Sequence, residues 1–376
     1  MHTKEKPSKS QEVFDDQPSD SAIPPLDLYE SLKSVINRFV KVTNEESVAI
    51  ALWVLHTYFI RQPKEEQVCN YSPVLMIHSP ERGCGKTTLI EVLRLLVPRP
   101  MVAMNATEAA LFRSIASRRP TLFLDEADSF LAKRQEILNI FNSGYERDGN
   151  VLRVIPPAYS EVGEFSTWGA KCISGIGNLS DTTESRSLKI CLTRKLPGER
   201  LEKRSEVLRS DPDYFSRLRQ TMVRFTLDYE EQILGTRSPF ADELDDRTQD
   251  NWSGLFRIAE CIGLQSLAEA KTAALALSRN DVSEDSERIE LLTDIRDLLV
   301  DVKGGSVSSV ELCERLCKLV ERPWATYNRS GLTPHRLSAM LKPFGIQTKQ
   351  TKRVHSNTRQ YHKDDFAEVF LRYLGK

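Results

Sequence analysis

Apolar residues along this chain recur at more than one spacing, and each spacing marks a region. From Pro25 onward, Leu28, Leu32, Val35, Ile36, Phe39 and Val40 return every three or four positions, the period of one helix face. Thr43-Asn44-Glu45-Glu46 predicts the start of a second helix, with Asn44 as N-cap and acids in the first turn. It runs into Val48-Ala-Ile-Ala-Leu-Trp-Val-Leu-His-Thr-Tyr-Phe-Ile60, which reads as a buried core helix. Short apolar runs follow at Val74–His78, Val102–Met104, Thr121–Glu126, Ala170–Gly177 and Ser187–Leu192. Helical stretches separate several of them, one through Leu89, Val92, Leu93 and Leu96 and one started by Thr107. Apolar strands alternating with helices predict an α/β fold, a parallel sheet covered on both faces. A hairpin is expected from Val151–Ile155 and Val162–Trp168, turning through Pro156, Pro157 and Tyr159.

After Pro197 the helical period returns near residues 213–234, 247–262 and 264–278. Asn280 to Glu287 is polar and acidic and reads as a linker. Helices are then expected over Ile289–Val300, over Ser309–Val320 and from Thr333-Pro334, whose cap-then-proline order favours a helix start. In that third helix Leu337, Met340, Leu341 and Phe344 point one way, leaving Arg336 and Lys342 toward solvent. Ile346 to Tyr361 alternates and turns near His355–Thr358. Helix, helix, helix, hairpin is the plan of a winged helix. The expected organisation is a disordered arm over residues 1–24, a helical segment over 25–70, the α/β core over 71–196 and a helical lid over 197–279. A linker over 280–288 and a winged-helix-like basic domain over 289–376 complete it.

Composition narrows the class. The 376 residues are 40% hydrophobic and 28% charged, as expected for several globular domains rather than one core. No apolar run reaches the roughly 18 residues of a membrane helix, and Met1–Ser21 is too polar for a signal peptide, so no membrane partner and a cytoplasmic location are expected. Seven irregularly spaced cysteines argue against a disulfide framework. Cys313 and Cys317 are one helical turn apart but lack a second ligand pair, so both are read as core residues. The net charge of −1 conceals an uneven distribution: residues 301–376 carry 14 Lys and Arg against 7 Asp and Glu, and Arg329–Lys363 holds eight basic residues and no acidic one. A one-signed stretch on a small domain points to a polyanion such as DNA.

Three patterns carry chemistry. Gly83-Cys84-Gly85-Lys86-Thr87-Thr88 lies between a strand and a helix. Glycines let backbone N–H groups converge on phosphate, the helix start faces the anion, Lys86 reaches the outer phosphates of ATP and Thr87 ligates Mg²⁺. Pro80 stands where such loops usually carry their first glycine, removing one N–H. Leu122-Phe-Leu-Asp125-Glu126 is a strand ending in two acids. Asp125 is expected to hold Mg²⁺ and Glu126 to polarise the attacking water, while Asp128 reads as a helix cap. Ile176-Gly-Asn178 ends the next strand, placing Asn178 to orient that water or simply in a turn. Arg186, just before the last strand, is placed to reach a neighbouring subunit's γ-phosphate or to be a surface arginine, with Lys189, Arg194 and Lys195 as rivals. Arg247, in Asp245-Asp-Arg-Thr-Gln-Asp-Asn-Trp252, reaches back to the γ-phosphate from the lid or belongs to a capped helix start. Arg336 and Lys342 with Lys349, Lys352, Arg353 and Arg359 are expected to form one positive face for DNA, or a solvated basic surface.

With Ser79-Pro-Glu-Arg-Gly-Cys-Gly-Lys-Thr87, Leu124-Asp-Glu-Ala-Asp128, Ile173-Ser-Gly-Ile-Gly177, Asp246-Arg-Thr-Gln-Asp-Asn-Trp252 and Gly331-Leu-Thr-Pro-His-Arg336, the chain resembles a bacterial family of uncharacterised P-loop ATPases. Its members are frequent on phages, plasmids and integrated elements and are sometimes fused to primase-like modules. The resemblance covers residues 27–374. More distantly, the order of motifs is similar to AAA+ helicases of superfamily three. That likeness implies an AAA+ type P-loop core, ATP at subunit interfaces and self-association into a ring, a hexamer by analogy. Primase or nuclease activity would come from a partner. The leading expectation is an ATP-driven, DNA-directed motor of a mobile element or related defence system. The alternative is a switch or loader that regulates a partner on DNA without translocation.

Overall fold

The computed structural model describes residues 16–60, 68–79, 83–103, 106–125, 135–155, 161–175, 181–193, 195, 198–237, 239, 243–279, 282–300, 302, 304–319, 322–327, 331–353 and 356–374. The chain divides into two compact units, Met1–Ser278 and Arg279–Lys376.

In the first unit the helices α1 (Pro25–Phe39) and α2 (Asn44–Tyr58) precede strand β1 (Val74–His78). The N-cap of α2 is Thr43, not Asn44: its hydroxyl accepts from the Glu46 N–H at 3.1 Å, and the Glu46 carboxylate accepts from the Thr43 N–H at 2.8 Å. This reciprocal pair satisfies two orphan donors of the helix start, which a lone Asn44 cap would not. The other Glu46 oxygen takes the Cys191 N–H at 2.7 Å, fastening α2 to the sheet. Burial raises the Glu46 pKa against those hydrogen bonds.

Then follow α3 (Lys86–Leu96), β2 (Pro100–Val102), α4 (Glu108–Arg118), β3 (Thr121–Leu124), α5 (Gln135–Ser143), β4 (Asn150–Ile155), β5 (Glu161–Ser166), β6 (Lys171–Gly175), α6 (Asp181–Glu184) and β7 (Ser187–Cys191). The sheet is five-stranded in the order β2-β3-β6-β1-β7, and each of its pairs is parallel. Strand β2 sits at the sheet's edge and begins at Pro100, two residues before the expected run. Prolines are tolerated at such an edge because the missing N–H breaks no ladder bond. Strands β4 and β5 form the expected hairpin as a separate antiparallel ribbon.

Alternating side chains build a core on each face of the sheet. Leu75, Ile77, Phe123 and Cys172 join one, while Val74, Leu122, Leu124 and Ile173 join the other with Leu111, Phe112 and Phe141 of α4 and α5. The helices expected as a lid are α7 (Arg204–Ser210), α8 (Tyr214–Gly235), α9 (Asp246–Ile262) and α10 (Leu264–Arg279). Their buried Met222, Phe225, Trp252 and Leu255 share the core of α1, α2 and α3, so these helices are continuous with the sheet's packing. Of the arm expected to be disordered over 1–24, residues 1–15 lie outside the described residues and the rest is held on the fold. Asp16 pairs with Arg219 at 2.8 Å and the Ser19 N–H donates to the Gln220 carbonyl at 3.0 Å, which holds this stretch on α8.

In the second unit helix α11 (Val282–Val300) occupies most of the expected linker. Strand β8 (Ser306–Ser308), α12 (Ser309–Cys317), α13 (Pro334–Leu341), β9 (Lys349–Arg353), β10 (Ser356–His362) and α14 (Asp364–Leu374) follow. The hairpin lies where the alternation placed it, and β8 adds a third antiparallel strand in the order β8-β10-β9. Leu291, Leu312, Trp324, Leu337, Tyr361 and Phe366 meet in its own core. Cys313 and Cys317 lie on α12, and the described residues contain no cluster of three metal-ligating side chains.

Candidate functional site

Strand β1 ends at His78, followed by buried Ser79. Pro80, Glu81 and Arg82 lie outside the described residues. The chain re-enters through Gly83 and Gly85, with φ of +80° and +97°. A side chain in that left-handed region costs about 1–2 kcal/mol, so glycine is favoured there by conformation. Space is not the reason at Gly85, where an added Cβ would lie 3.5 Å from Val40. Helix α3 then starts at Lys86, leaving the first-turn N–H groups of Lys86, Thr87 and Thr88 without helical acceptors. Those donors and the positive end of the helix form an anion cradle. Lys86 Nζ donates to Ser79 Oγ at 2.5 Å, closing the loop from its last residue to its first. Thr87 is exposed at the helix start.

Asp125 follows the last residue of β3. Because β6 lies between β3 and β1, the end of β6 falls between Asp125 and the loop. Ser174 of β6 donates to an Asp125 carboxylate oxygen. Ser79 and Ser174 were not singled out from sequence, although a lone hydroxyl closing an apolar strand was the available signal. Glu126, Asp128, Asn178 and Arg194 lie outside the described residues.

A cavity of about 410 Å³ opens beside the loop. Gly83, Cys84, Gly85 and Thr88 form one side; Phe39, Val40, Lys41, Leu201 and Arg204 contribute to the rest. Ion pairs of its lining residues are Arg204 with Glu91 at 3.1 Å, Lys41 with Glu199 at 2.9 Å and Glu202 with Arg38 at 2.8 Å. Phe39, Val40 and Leu201 give the cavity an apolar wall beside the Gly83–Lys86 loop. These wall residues are distant in sequence, and no local pattern announced them.

Arg186 and Arg247 lie elsewhere, at the opposite end of the sheet. Arg186 immediately precedes β7, whose Ser187 is in register with Val74, the first residue of β1. Its guanidinium carbon is 5.5 Å from the centre of the Tyr145 ring, and that of Arg247 is 5.4 Å from the same centre. The Tyr145 backbone carbonyl accepts from Ser72 N–H at 2.8 Å, which fixes the ring near the start of β1. Arg247 therefore does not reach the Gly83–Lys86 loop of its own chain. Lys189 is paired with Glu184 at 2.8 Å, and Lys195 is exposed at the cavity.

In the second unit the basic residues divide. Arg336 donates to the Gly331 and Tyr327 carbonyls at 3.2 and 3.4 Å, tying its guanidinium back to the preceding loop rather than leaving it to solvent. Lys349 pairs with Asp365 at 2.8 Å. Lys342 and Arg359 are exposed and share a second cavity of about 410 Å³ with Ser338, Ile346, Gln347 and Thr348. The side chains of Lys352 and Arg353 lie outside what is described.

Comparison with known proteins finds the following similarities. The model of a family described as a protein of unknown function, DUF3631, matches residues 191–373. An uncharacterized 28.9 kDa protein in the xis 5′ region of Saccharopolyspora erythraea is 30% identical over 133 residues, 35% of this chain and 50% of that protein. The chain thus spans half the length of the curated relative it matches. The A form apo structure of the NrS-1 C-terminal region aligns over 95% of this chain and 78% of that one, with 13% identity and a TM-score of 0.35. No described helix is long and apolar enough to cross a membrane.

Proposed function

We propose that this chain is a Mg²⁺-dependent ATPase of the AAA+ type and that it acts on DNA as a motor of a mobile element or a related defence system. The observation that carries the reading is the loop from Ser79 to Lys86, ending in left-handed glycines and a helix start, with Asp125 one strand away across β6. Lys86 and the first-turn N–H groups would hold the phosphates of ATP, and the neighbouring cavity the nucleoside. Thr87 and Asp125 would hold Mg²⁺, which supplies charge neutralisation at the phosphates. Glu126 would accept the proton of the water that attacks the terminal phosphorus as the bond to the ADP oxygen breaks. In the second unit, α11, α12, α13 and the β9–β10 hairpin support a winged-helix reading, with Lys342 and Arg359 as phosphate contacts for DNA. The Saccharopolyspora erythraea relative lies in a xis 5′ region, which supports the mobile-element setting. A cytoplasmic location and a ring assembly belong to the same proposal.

A second reading has its own support. Arg336 and Lys349 are engaged within the fold, which thins the basic face. That favours a switch or loader, contacting a partner on DNA without moving along it.

ATP hydrolysis by the purified chain, with and without single- and double-stranded DNA, tests both readings. Turnover raised by DNA and lost in Lys86→Ala and Glu126→Gln is the result expected of the motor. Turnover indifferent to DNA of every length and strandedness would move the assignment to the switch. Absence of ATP binding would remove both.

A further inference from the structure

The second unit holds a concave, polar site between the end of α13 and the β9–β10 hairpin. This cavity of about 410 Å³ is lined by Ser338, Lys342, Ile346, Gln347, Thr348 and Arg359. Ser338 and Lys342 stand four apart at the end of α13, so they share one side of it. Arg359 and Tyr361 are two apart on β10 and leave the same face of the sheet. Tyr361 is buried in the core with Leu337, which directs Arg359 to the rim of the space between sheet and helix. Ile346 is buried and forms the floor. Its N–H donates to the Leu341 carbonyl at 3.3 Å, turning the chain from α13 toward β9 and setting Gln347 and Thr348 at the cavity.

The lining carries two cations and no carboxylate. Lys342 and Arg359 are exposed, and neither forms an ion pair among the described residues. Their described basic neighbours are committed elsewhere. Arg336 donates to the Gly331 and Tyr327 carbonyls, Lys349 pairs with Asp365, and Lys363 Nζ donates to the Val302 carbonyl at 2.8 Å. A nucleic-acid backbone is a row of singly charged diesters, and a surface that tracks it needs a matching row of cations. Two cations converging on one hollow suit a single group of concentrated charge instead. A terminal phosphate monoester is such a group. Its second pKa is about 6, so it carries nearly two negative charges at pH 7 on three free oxygens. The carbonyl end of α13 opposes an anion here with a partial charge of about half a unit, which two full positive charges outweigh.

We propose that this pocket receives the terminal phosphate of a nucleic-acid strand, held by Lys342 and Arg359. The proposal rests on the DNA reading of the second unit and deepens it, from contact along a backbone to capture of a strand end. It does not depend on ATP hydrolysis by the first unit. The forked guanidinium of Arg359 takes two phosphate oxygens, and the Lys342 ammonium takes the third as a point charge. Ser338, Gln347 and Thr348 add neutral hydrogen-bonding groups around them. The volume falls in the range of small-ligand pockets, roughly 300–1,000 Å³, so the terminal sugar enters with its phosphate.

The test is binding of the full chain to short single-stranded DNA of one sequence, labelled internally, with hydroxyl ends, a 5′-phosphate or a 3′-phosphate. One phosphorylated form should bind about tenfold or more tighter than the hydroxyl form, and which one tells the end that is captured. That advantage should shrink between pH 7.5 and pH 5, as the phosphate loses its second charge. Lys342→Ala and Arg359→Ala, each melting as the wild type does, should bring the ratio of phosphorylated to hydroxyl binding near one. Arg359→Lys keeps the charge but loses the fork and should restore the ratio only in part. Equal binding of all three forms by the wild type overturns the end-capture assignment and leaves the DNA reading standing. A ratio unchanged in both alanine variants overturns it as well, by placing the phosphate elsewhere. AMP that displaces the phosphorylated strand at equal concentration would show a pocket for free nucleotides and overturn the strand assignment. No binding of any form removes the DNA reading and this proposal with it.

Discussion

The two ends of the parallel sheet hold their charges in opposite ways. At the carboxyl end, Lys86 rests on the Ser79 hydroxyl and Asp125 takes the Ser174 hydroxyl, beside an open cavity. A hydroxyl is a light partner that yields when a stronger ligand arrives, since a neutral hydrogen bond contributes only about 1 kcal/mol net. At the amino end the contacts are built into the packing. Lys171 is buried beneath the carbonyls of Gly144, Thr167 and Gly169, at 2.9, 3.1 and 2.9 Å, while Arg186 and Arg247 crowd Tyr145. The contrast teaches that charged side chains on one sheet rest on single hydroxyls at one end and are built into the packing at the other.

The largest expected effect breaks or upholds that contrast at the carboxyl end. Lys86→Met should lower ATP turnover at least about a thousandfold while the melting temperature moves by no more than about 2 °C. A large fall in melting temperature would show that Lys86 belongs to the architecture after all. The next effect concerns Lys171. Burial pulls its pKa down to about 7, and removing its ammonium would strand three carbonyl oxygens in the core. Lys171→Ala should cost about 3 kcal/mol or more by urea denaturation. Gly144→Ala should disturb the same cage, because an added Cβ would fall 1.9 Å from the Thr167 carbonyl oxygen and 2.3 Å from Lys171 Nζ. Wild-type stability in both variants would mean that the cage carries no energy.

The carboxyl end was legible because its requirements are local. Glycines before a lysine at a helix start, and a strand closing on an acid, are each patterns of a few adjacent residues. The amino end is a product of long-range packing. Arg247 is four residues from Asn251, but which end of the sheet they face is decided by Trp252, Leu255 and Phe256 sinking into the core shared with α2. Nothing in the local pattern reveals that choice; of the two readings open for Arg247, the capped helix start is the one present, with Asp245 accepting from the Thr248 N–H at 3.0 Å. The hairpin β9–β10 was read from alternation, whereas β8 has three residues, too few to show a period. The α14 helix was legible in principle, since Phe366, Val369 and Phe370 stand three and four apart, but it was not read.

The smallest of these effects sharpens the comparison through pH. His56 of α2 is fully buried at the amino end of β1, with Nε2 3.2 Å from Ser72 Oγ and Nδ1 3.2 Å from Cys69 Sγ. Helix α9 closes over it, leaving so little room that a Cβ on Gly254 would lie 2.8 Å from Cys69 Cβ. Burial lowers the His56 pKa from 6.5 to about 3. The folded state therefore binds the proton less well than the unfolded chain, so the neutral ring's contribution is complete above pH 6.5 and is lost as pH falls toward 3. Between pH 7 and pH 5 this one group should remove about 2 kcal/mol of stability. His56→Gln cannot take up the proton, so its loss over the same interval should be smaller by about that amount, whatever its stability at pH 7. Equal losses in the two proteins would mean that His56 keeps an ordinary affinity for protons, and that the amino end is open enough to water to hold a charged ring. That result would weaken the case for an amino end closed to water. A difference near the expected size would show that acid acts on the closed packing at the amino end of the sheet.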